Sequence, residues 1–120
     1  KACPNAAILK IFDKKGLHFD ASSGFEVKRA LALESKLKDL TLFLEIPTDF
    51  SGLLGQGVKI NACSIQQLER VGQALPGHEV GLRFNPGRGS GGTGKTNVGG
   101  SDASFGIWHE WAEQAKLIAA

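Results

Sequence analysis

The amino-acid sequence predicts an α/β fold built on a parallel sheet. Segments with the period of an amphipathic helix alternate along the chain with short apolar segments typical of strands. Strands that alternate with helices form parallel sheets with right-handed crossovers. With 42% hydrophobic and 22% charged residues in 120, the composition is that of an ordinary globular protein, so we expect one small domain.

The first half of the chain is predicted to hold two helices and two strands. An apolar stripe predicts a helix over residues 5–15, which Gly16 is expected to end. Ser23 and Glu26 have the spacing of a capping box, so a second helix is expected to begin there and continue to Leu33. Strands are expected at residues 17–21 and 41–46, the second stopped by Pro47.

The second half is predicted to add two strands, at residues 58–62 and 79–84. The helix between them is expected to begin at Ser64 and to end before Pro76 and Gly77. A final helix is expected over residues 107–119, after a long glycine-rich loop. The crossover at residues 47–57 is too short for a clear helix, and no internal repeat is evident.

These elements amount to about four parallel strands with helices on one side. That arrangement matches roughly half of an eight-stranded (β/α)8 TIM barrel, and a doubly wound sheet is the alternative. A partial barrel leaves sheet edges and one side of its core open. We therefore expect exposed apolar surface and self-association.

Charge and residue usage bear on several classes of function. A net charge of +2 gives no reason to expect nucleic acid or a membrane surface as a partner, and no apolar run approaches the ~20 residues of a membrane span. Cys3 and Cys63 are expected to be free thiols in a reducing compartment. His18, His78 and His109 lack the spacing of metal ligands, so no metal site is expected.

The segment Gly89–Thr96 (GSGGTGKT) matches the phosphate-binding P-loop pattern G-x-x-x-x-G-K-[ST]. A P-loop needs a helix that begins at its Lys-Thr pair, whereas the residues that follow, Asn97–Ser101, are poor helix sequence. We therefore expect a mobile loop over residues 87–104 at the C-terminal end of its strand. A nucleotide-binding module remains the alternative.

Five segments of the chain carry a further pattern. In order, they are Lys1–Asn5 (KACPN), Gly16–Glu26 (GLHFDASSGFE), Ile60–Arg70 (INACSIQQLER), Gly81–Gly87 (GLRFNPG) and Gly99–Ile107 (GGSDASFGI). They resemble the motifs K-A-N-P-N, G-x-x-F-D-x-x-S-x-x-E, N-x-x-S-x-x-E-L-E-R, L-R-x-N-P-G and T-G-x-x-x-S-K-F-G-I. These motifs belong to the pyridoxal-phosphate-dependent amino-acid decarboxylases with an alanine-racemase-like barrel (fold type III).

The resemblance implies roles for individual residues. Lys1 would be the catalytic lysine that bonds to pyridoxal 5'-phosphate, and Asp20 and Glu26 would line the cofactor site. A carboxylate beside that lysine could hold its ammonium group or shift its pKa. Arg83 also matches a family position, and both a direct role and a structural bridge from strand end to loop remain open.

The resemblance also bears on the rest of the protein. It implies a carboxy-lyase for a basic or diamino acid, with meso-diaminopimelate favoured by the L-R-x-N-P-G segment and carboxynorspermidine, ornithine or arginine as alternatives. A cytoplasmic homo-oligomer is expected. The chain begins at Lys1 without a methionine, so we expect a fragment in which residues 1–120 are part of the barrel domain. Cys3 in place of asparagine, and no lysine between Ser104 and Phe105, depart from the family pattern.

Overall fold

A computed structural model of the chain describes residues 3, 5–33, 40–43, 46–47, 50–89 and 97–120, apart from the side chain of Phe43. The chain divides into two compact units, Lys1–Ile60 and Asn61–Ala120. Among the described residues, the first unit contains three helices. The second unit contains two α-helices and several shorter elements.

The strands confirm the predicted α/β class. Four of them form a parallel sheet in the order β1-β2-β3-β4. They are β1 (Phe19–Ala21), β2 (Leu40–Phe43), β3 (Lys59–Ala62) and β4 (Gly81–Leu82). A second, two-stranded parallel sheet pairs β5 (Phe84–Asn85) with β6 (Ile107–Trp108).

The first unit contains α1 (Ala6–Lys14), α2 (Gly24–Leu31) and α3 (Ser51–Leu54). The first two confirm the predicted helices. The third corrects the prediction that the crossover at residues 47–57 holds no clear helix. A helix of one turn has no repeated apolar spacing for sequence reasoning to detect. It is anchored instead by Phe50 and Leu53, whose side chains are buried.

Residues of alternating exposure on β1 and β2 show which face of the sheet is covered. Ala21 pairs in register with Leu42, and both are buried on the face against which α2 packs. Asp20 pairs with Thr41 on the opposite face, where Asp20 is exposed. On β1 and β2, one side is therefore buried under α2 and the other side carries polar residues.

The second unit contains α4 (Ile65–Ala74), a 3₁₀ turn (His109–Trp111) and α5 (Ala112–Ala119). Helix α4 packs against α5 around a cluster of buried residues that includes Ala62, Leu68 and Ile107. The helix predicted at Ser64 is confirmed. The helix predicted over residues 107–119 is corrected, because its first two residues form β6.

The backbone around Arg83 explains that correction. The strand predicted at residues 79–84 is divided at Arg83 into β4 and β5. The N–H of Arg83 donates to the carbonyl of Ala62 (2.9 Å), and its carbonyl accepts from the N–H of Ile107 (2.8 Å). Ile107 is 1% exposed. Pairing with β5 and burial of this side chain therefore hold residues 107–108 extended, although they share the apolar pattern of the helix that follows.

Large apolar side chains are exposed in the first unit. Helix α1 has no buried residue, and Ile8, Ile11 and Phe12 are exposed on it. Phe25 on α2 is 83% exposed. Apolar surface was predicted on the side of the barrel that four strands leave open, whereas these side chains lie on helices, so that part stays a prediction. Self-association remains a prediction.

None of the helices in the described part of the chain is long and apolar enough to cross a membrane. Cys3 and Cys63 are free thiols, as predicted.

We predict opposite effects on stability for two glycine-to-alanine substitutions. Gly106 has a φ of +89°, and a Cβ there would lie 2.9 Å from the backbone N of Asn85, so Gly106→Ala should lower the free energy of unfolding by about 1–3 kcal/mol. Gly72 lies within α4 with open space around its Cβ position, so Gly72→Ala should raise it by about 0.5–1 kcal/mol. Urea denaturation measures both. Equal effects would contradict the strain assigned to Gly106.

Candidate functional site

The turn between β1 and α2 places Glu26, one of the two predicted carboxylates. The Ser23 hydroxyl accepts a hydrogen bond from the N–H of Glu26 (3.4 Å), which confirms Ser23 as the helix cap. The Glu26 carboxylate in turn accepts from the N–H of Ser22 (2.6 Å). In a standard capping box this return bond goes to the cap residue, and here it goes to the residue before it. Glu26 thus holds the turn that follows β1.

The turn between β3 and α4 repeats this geometry. The Ser64 hydroxyl accepts from the N–H of Gln67 (3.2 Å), and the side-chain oxygen of Gln67 accepts from the N–H of Cys63 (2.7 Å). The segments Asp20–Glu26 and Asn61–Gln67 align without a gap as D-A-S-S-G-F-E and N-A-C-S-I-Q-Q. This similarity is confined to the two turns and is not an internal repeat of the chain. The shared A-x-S-x-x-[E/Q] pattern is the sequence signal for this kind of turn.

Asp20 and Glu26 line one cavity of about 450 Å³. The same cavity is lined by Phe19–Ala21, which are successive residues whose side chains alternate between the two faces of β1. β1 is an outer strand of the described sheet. The cavity therefore runs along the open edge of β1 rather than lying only beyond the strand's C-terminal end.

Two residues not assigned to the cofactor site from the sequence share this cavity. Arg29 lies one turn after Glu26 on α2 and brings a positive charge among the carboxylates. Cys3, which is half-buried, lines it from the beginning of the chain. The Glu26 and Arg29 pair, three residues apart on a helix, was a sequence signal for this. Lys1, the predicted catalytic lysine, lies outside the described residues.

Arg83 forms the structural bridge that was one of its two open roles. Its guanidinium carbon lies 5.5 Å from the centre of the Phe105 ring, a cation–π contact. Phe105 precedes β6, so the contact connects the β4–β5 junction to the end of the glycine-rich loop. A direct role for Arg83 in chemistry remains a prediction.

The glycine-rich loop follows β5, at the C-terminal end of that strand as predicted. Most of the P-loop match, residues 90–96, lies outside the described residues, and so does the central part of the predicted mobile loop. The residues that follow, Asn97–Ala103, are described and are not helical. Sequence reasoning assigned no role to Asn85 at the base of this loop, although its buried side chain contacts both ends of the loop.

Within the ranges that the structure describes, no group of three or more histidine, cysteine, aspartate or glutamate side chains could hold a metal ion.

Comparisons with known proteins place the chain in a family. It matches the family model described as "Pyridoxal-dependent decarboxylase, pyridoxal binding domain" over residues 1–120. It is 40% identical to the diaminopimelate decarboxylase of Streptomyces coelicolor, covering 98% of this chain and 28% of that relative. It is 35% identical to the diaminopimelate decarboxylase of Escherichia coli, covering 91% of this chain and 27% of that relative.

A solved structure supports the same placement. A crystal structure of diaminopimelate decarboxylase matches with a TM-score of 0.83 and 32% identity over 98% of this chain and 29% of that one. Together with the parallel sheet, this match confirms the predicted partial (β/α)8 barrel. The chain spans 28% of the length of the Streptomyces relative and a similar share of the others.

Glu26 accepts a hydrogen bond from the Ser22 N–H. We predict that this bond stabilises the turn because Glu26 offers an acceptor oxygen, and not because Glu26 is negatively charged. Glu26→Ala should lower the free energy of unfolding by about 1 kcal/mol, because the Ser22 N–H loses its acceptor. Glu26→Gln should keep most of that stability, since Gln67 makes the equivalent bond with an amide oxygen.

The matched control is Glu69→Ala, which removes an exposed carboxylate from α4 and should change stability by less than about 0.5 kcal/mol. Urea denaturation is the measurement. A Glu26→Gln variant as unstable as Glu26→Ala would show that the negative charge, not the hydrogen bond, is what the turn requires.

Proposed function

Because the chain belongs to the pyridoxal-dependent decarboxylase family, we propose that it is the part of a pyridoxal-phosphate-dependent carboxy-lyase that carries the cofactor lysine. The observation that carries this proposal is the match to the family's pyridoxal-binding domain over residues 1–120. Residues 1–120 would then be one part of the barrel domain of a longer enzyme, whose C-terminal β domain lies elsewhere in the protein.

The described side chains are compatible with a lysine-bound cofactor. Asp20 is exposed on the open face of β1, so its carboxylate can receive a cationic amine there. We propose that Asp20 holds the ammonium form of Lys1. Glu26 is proposed to line the same site while its carboxylate keeps the β1–α2 turn in place. Pyridoxal phosphate, when bound, supplies an electron sink for the bond that breaks in decarboxylation.

We propose meso-diaminopimelate as the substrate, which would place the enzyme in lysine biosynthesis. The support is that the relatives at 35–40% identity are named diaminopimelate decarboxylases. Carboxynorspermidine, ornithine and arginine are the alternatives. We further propose that the whole enzyme is a cytoplasmic homo-oligomer, and the exposed apolar side chains of α1 are consistent with association.

We predict that Lys1 is required for turnover in the full-length protein that carries this segment. Lys1→Ala should lower kcat for release of carbon dioxide from meso-diaminopimelate by at least about a hundredfold. Lys10→Ala, which removes an exposed lysine from α1, is the matched control and should leave kcat unchanged. Reduction with borohydride followed by peptide mass spectrometry should place the cofactor adduct on Lys1.

The same assay tests the substrate. Ornithine, arginine and carboxynorspermidine should each give a kcat/KM at least about tenfold below that of meso-diaminopimelate. A higher value for one of them would replace the proposed substrate but keep the enzyme class. Full activity of Lys1→Ala would overturn the role of Lys1.

We also predict that the 120-residue chain alone does not decarboxylate these amino acids. Decarboxylation requires anchored cofactor phosphate and a partner for the pyridine nitrogen. By the family resemblance, those groups lie beyond Ala120 or in a second subunit. The measurement is carbon dioxide release from the isolated chain with added pyridoxal phosphate, against the full-length protein. Equal turnover by the two would contradict the assignment of the missing groups.

A further inference from the structure

Asn85 is a buried polar side chain at the end of β5. It is 2% exposed. Its side-chain oxygen accepts hydrogen bonds from the N–H groups of Gly87 (3.0 Å) and Gly100 (3.1 Å). Its NH₂ group donates to the carbonyls of Gly100 (2.9 Å) and Ala103 (3.2 Å). A carboxamide has two donor hydrogens and two acceptor lone pairs, so these four bonds use its whole capacity.

The partners of Asn85 come from both ends of the glycine-rich loop. Gly87 belongs to the stem that leaves β5, whereas Gly100 and Ala103 belong to the stem that returns towards β6. The N–H and the carbonyl of Gly100 both bond to the Asn85 side chain. A strand residue bonds in the same way, through both groups, to a residue of the neighbouring strand. Asn85 thus fastens the two stems to each other and to the end of the strand.

A second close approach lies further along the same stems. A Cβ on Gly89 would collide with the carbonyl oxygen of Gly99. The stems are therefore adjacent at two levels, first at the Asn85 side chain and then at this pair of glycines. Since glycine residues lose more backbone entropy on ordering than others, these buried hydrogen bonds offset part of the entropy cost of ordering the two stems.

We propose that Asn85 is a positioning residue: it fixes both described stems of the glycine-rich loop, residues 87–89 and 97–103, at the C-terminal end of β5 and so sets the position of these stems at the substrate site. This inference rests on the proposed function, because the active sites of (β/α)8 barrels are built from loops at the C-terminal ends of their strands. Asn85 itself has no hydrogen-bonding capacity left for a ligand, so its effect passes through the loop.

The test compares two Asn-to-Asp substitutions in the full-length protein. Asn85→Asp keeps the oxygen that accepts from Gly87 and Gly100 but turns a second oxygen towards the carbonyls of Gly100 and Ala103. Asn97→Asp places the same charge in the same loop but keeps the acceptor oxygen for its bond from the Gly99 N–H. Asn85→Ala removes all four bonds and serves as a second variant.

Two readings are taken from each variant. Hydrogen–deuterium exchange of the peptide that spans residues 97–103 should rise at least about tenfold in Asn85→Asp and Asn85→Ala, and less than about twofold in Asn97→Asp. The amount of cofactor that borohydride traps on the protein gives the number of sites that hold cofactor. Per loaded site, KM for meso-diaminopimelate should rise at least about tenfold in the Asn85 variants, with folding checked by urea denaturation.

The outcomes separate the two proposals. Faster exchange with KM unchanged per loaded site would show that Asn85 is structural only, and unchanged exchange would show that it does not hold the stems. Either result overturns the inference. If the wild type releases no carbon dioxide from any of the amino acids, the proposed function fails, and the exchange data alone then decide whether Asn85 fixes the stems.

Discussion

The backbone N–H groups at the start of each helix need acceptors that the helix cannot provide, and this requirement shapes the turns from β1 to α2 and from β3 to α4. At α2 and at α4 a serine hydroxyl takes the third N–H of the helix, and the side chain of that third residue reaches back to the residue before the serine. Each strand therefore passes into its helix within two residues. A turn this short fixes the last strand residues, so Asp20 is held on the open face.

The same turn explains why the two predicted carboxylates, Asp20 and Glu26, have different surroundings. Glu26 accepts a 2.6 Å hydrogen bond from the Ser22 N–H, so its carboxylate stabilises the backbone of the turn. Asp20 is exposed and lies one residue before the buried Ala21. A charge at Asp20 can meet a ligand without disturbing the turn, whereas a change at Glu26 alters both the cavity and the helix start.

The sequence predicted those parts of the fold whose signals are local. Ser23 and Ser64 predict the starts of α2 and α4, because serine side chains cap helices. The short apolar runs before them predict β1 and β3. Helix α3 and strand β6 were not found, because each depends on contacts distant in sequence. Ile107 is extended because it pairs with β5, its N–H bonds to the carbonyl of Arg83 and its side chain is buried.

The candidate site divides in the same way. Asp20 and Glu26 are assigned to it through motif resemblance, which carries information that composition does not. Arg29 lines the same cavity but has no sequence assignment. In the second unit, Asn85 likewise has no assignment from the sequence. A buried asparagine looks like any turn residue in the sequence, and only the return of the chain at Gly100 reveals its partners.

Packing also accounts for one glycine of the phosphate-binding pattern, Gly89, and for Gly87 just before it. Gly87 has a φ of +76° with His109 Nε2 2.9 Å from its Cβ position, and Gly89 lies against the carbonyl of Gly99. Gly89 is the first glycine of the P-loop pattern, and any larger residue there would force the stems apart. The stems of the loop thus require glycine for their own geometry. The glycine at position 89 therefore follows from that requirement whether or not a phosphate ever binds, and the non-helical residues Asn97–Ala103 provide no helix N-terminus for one.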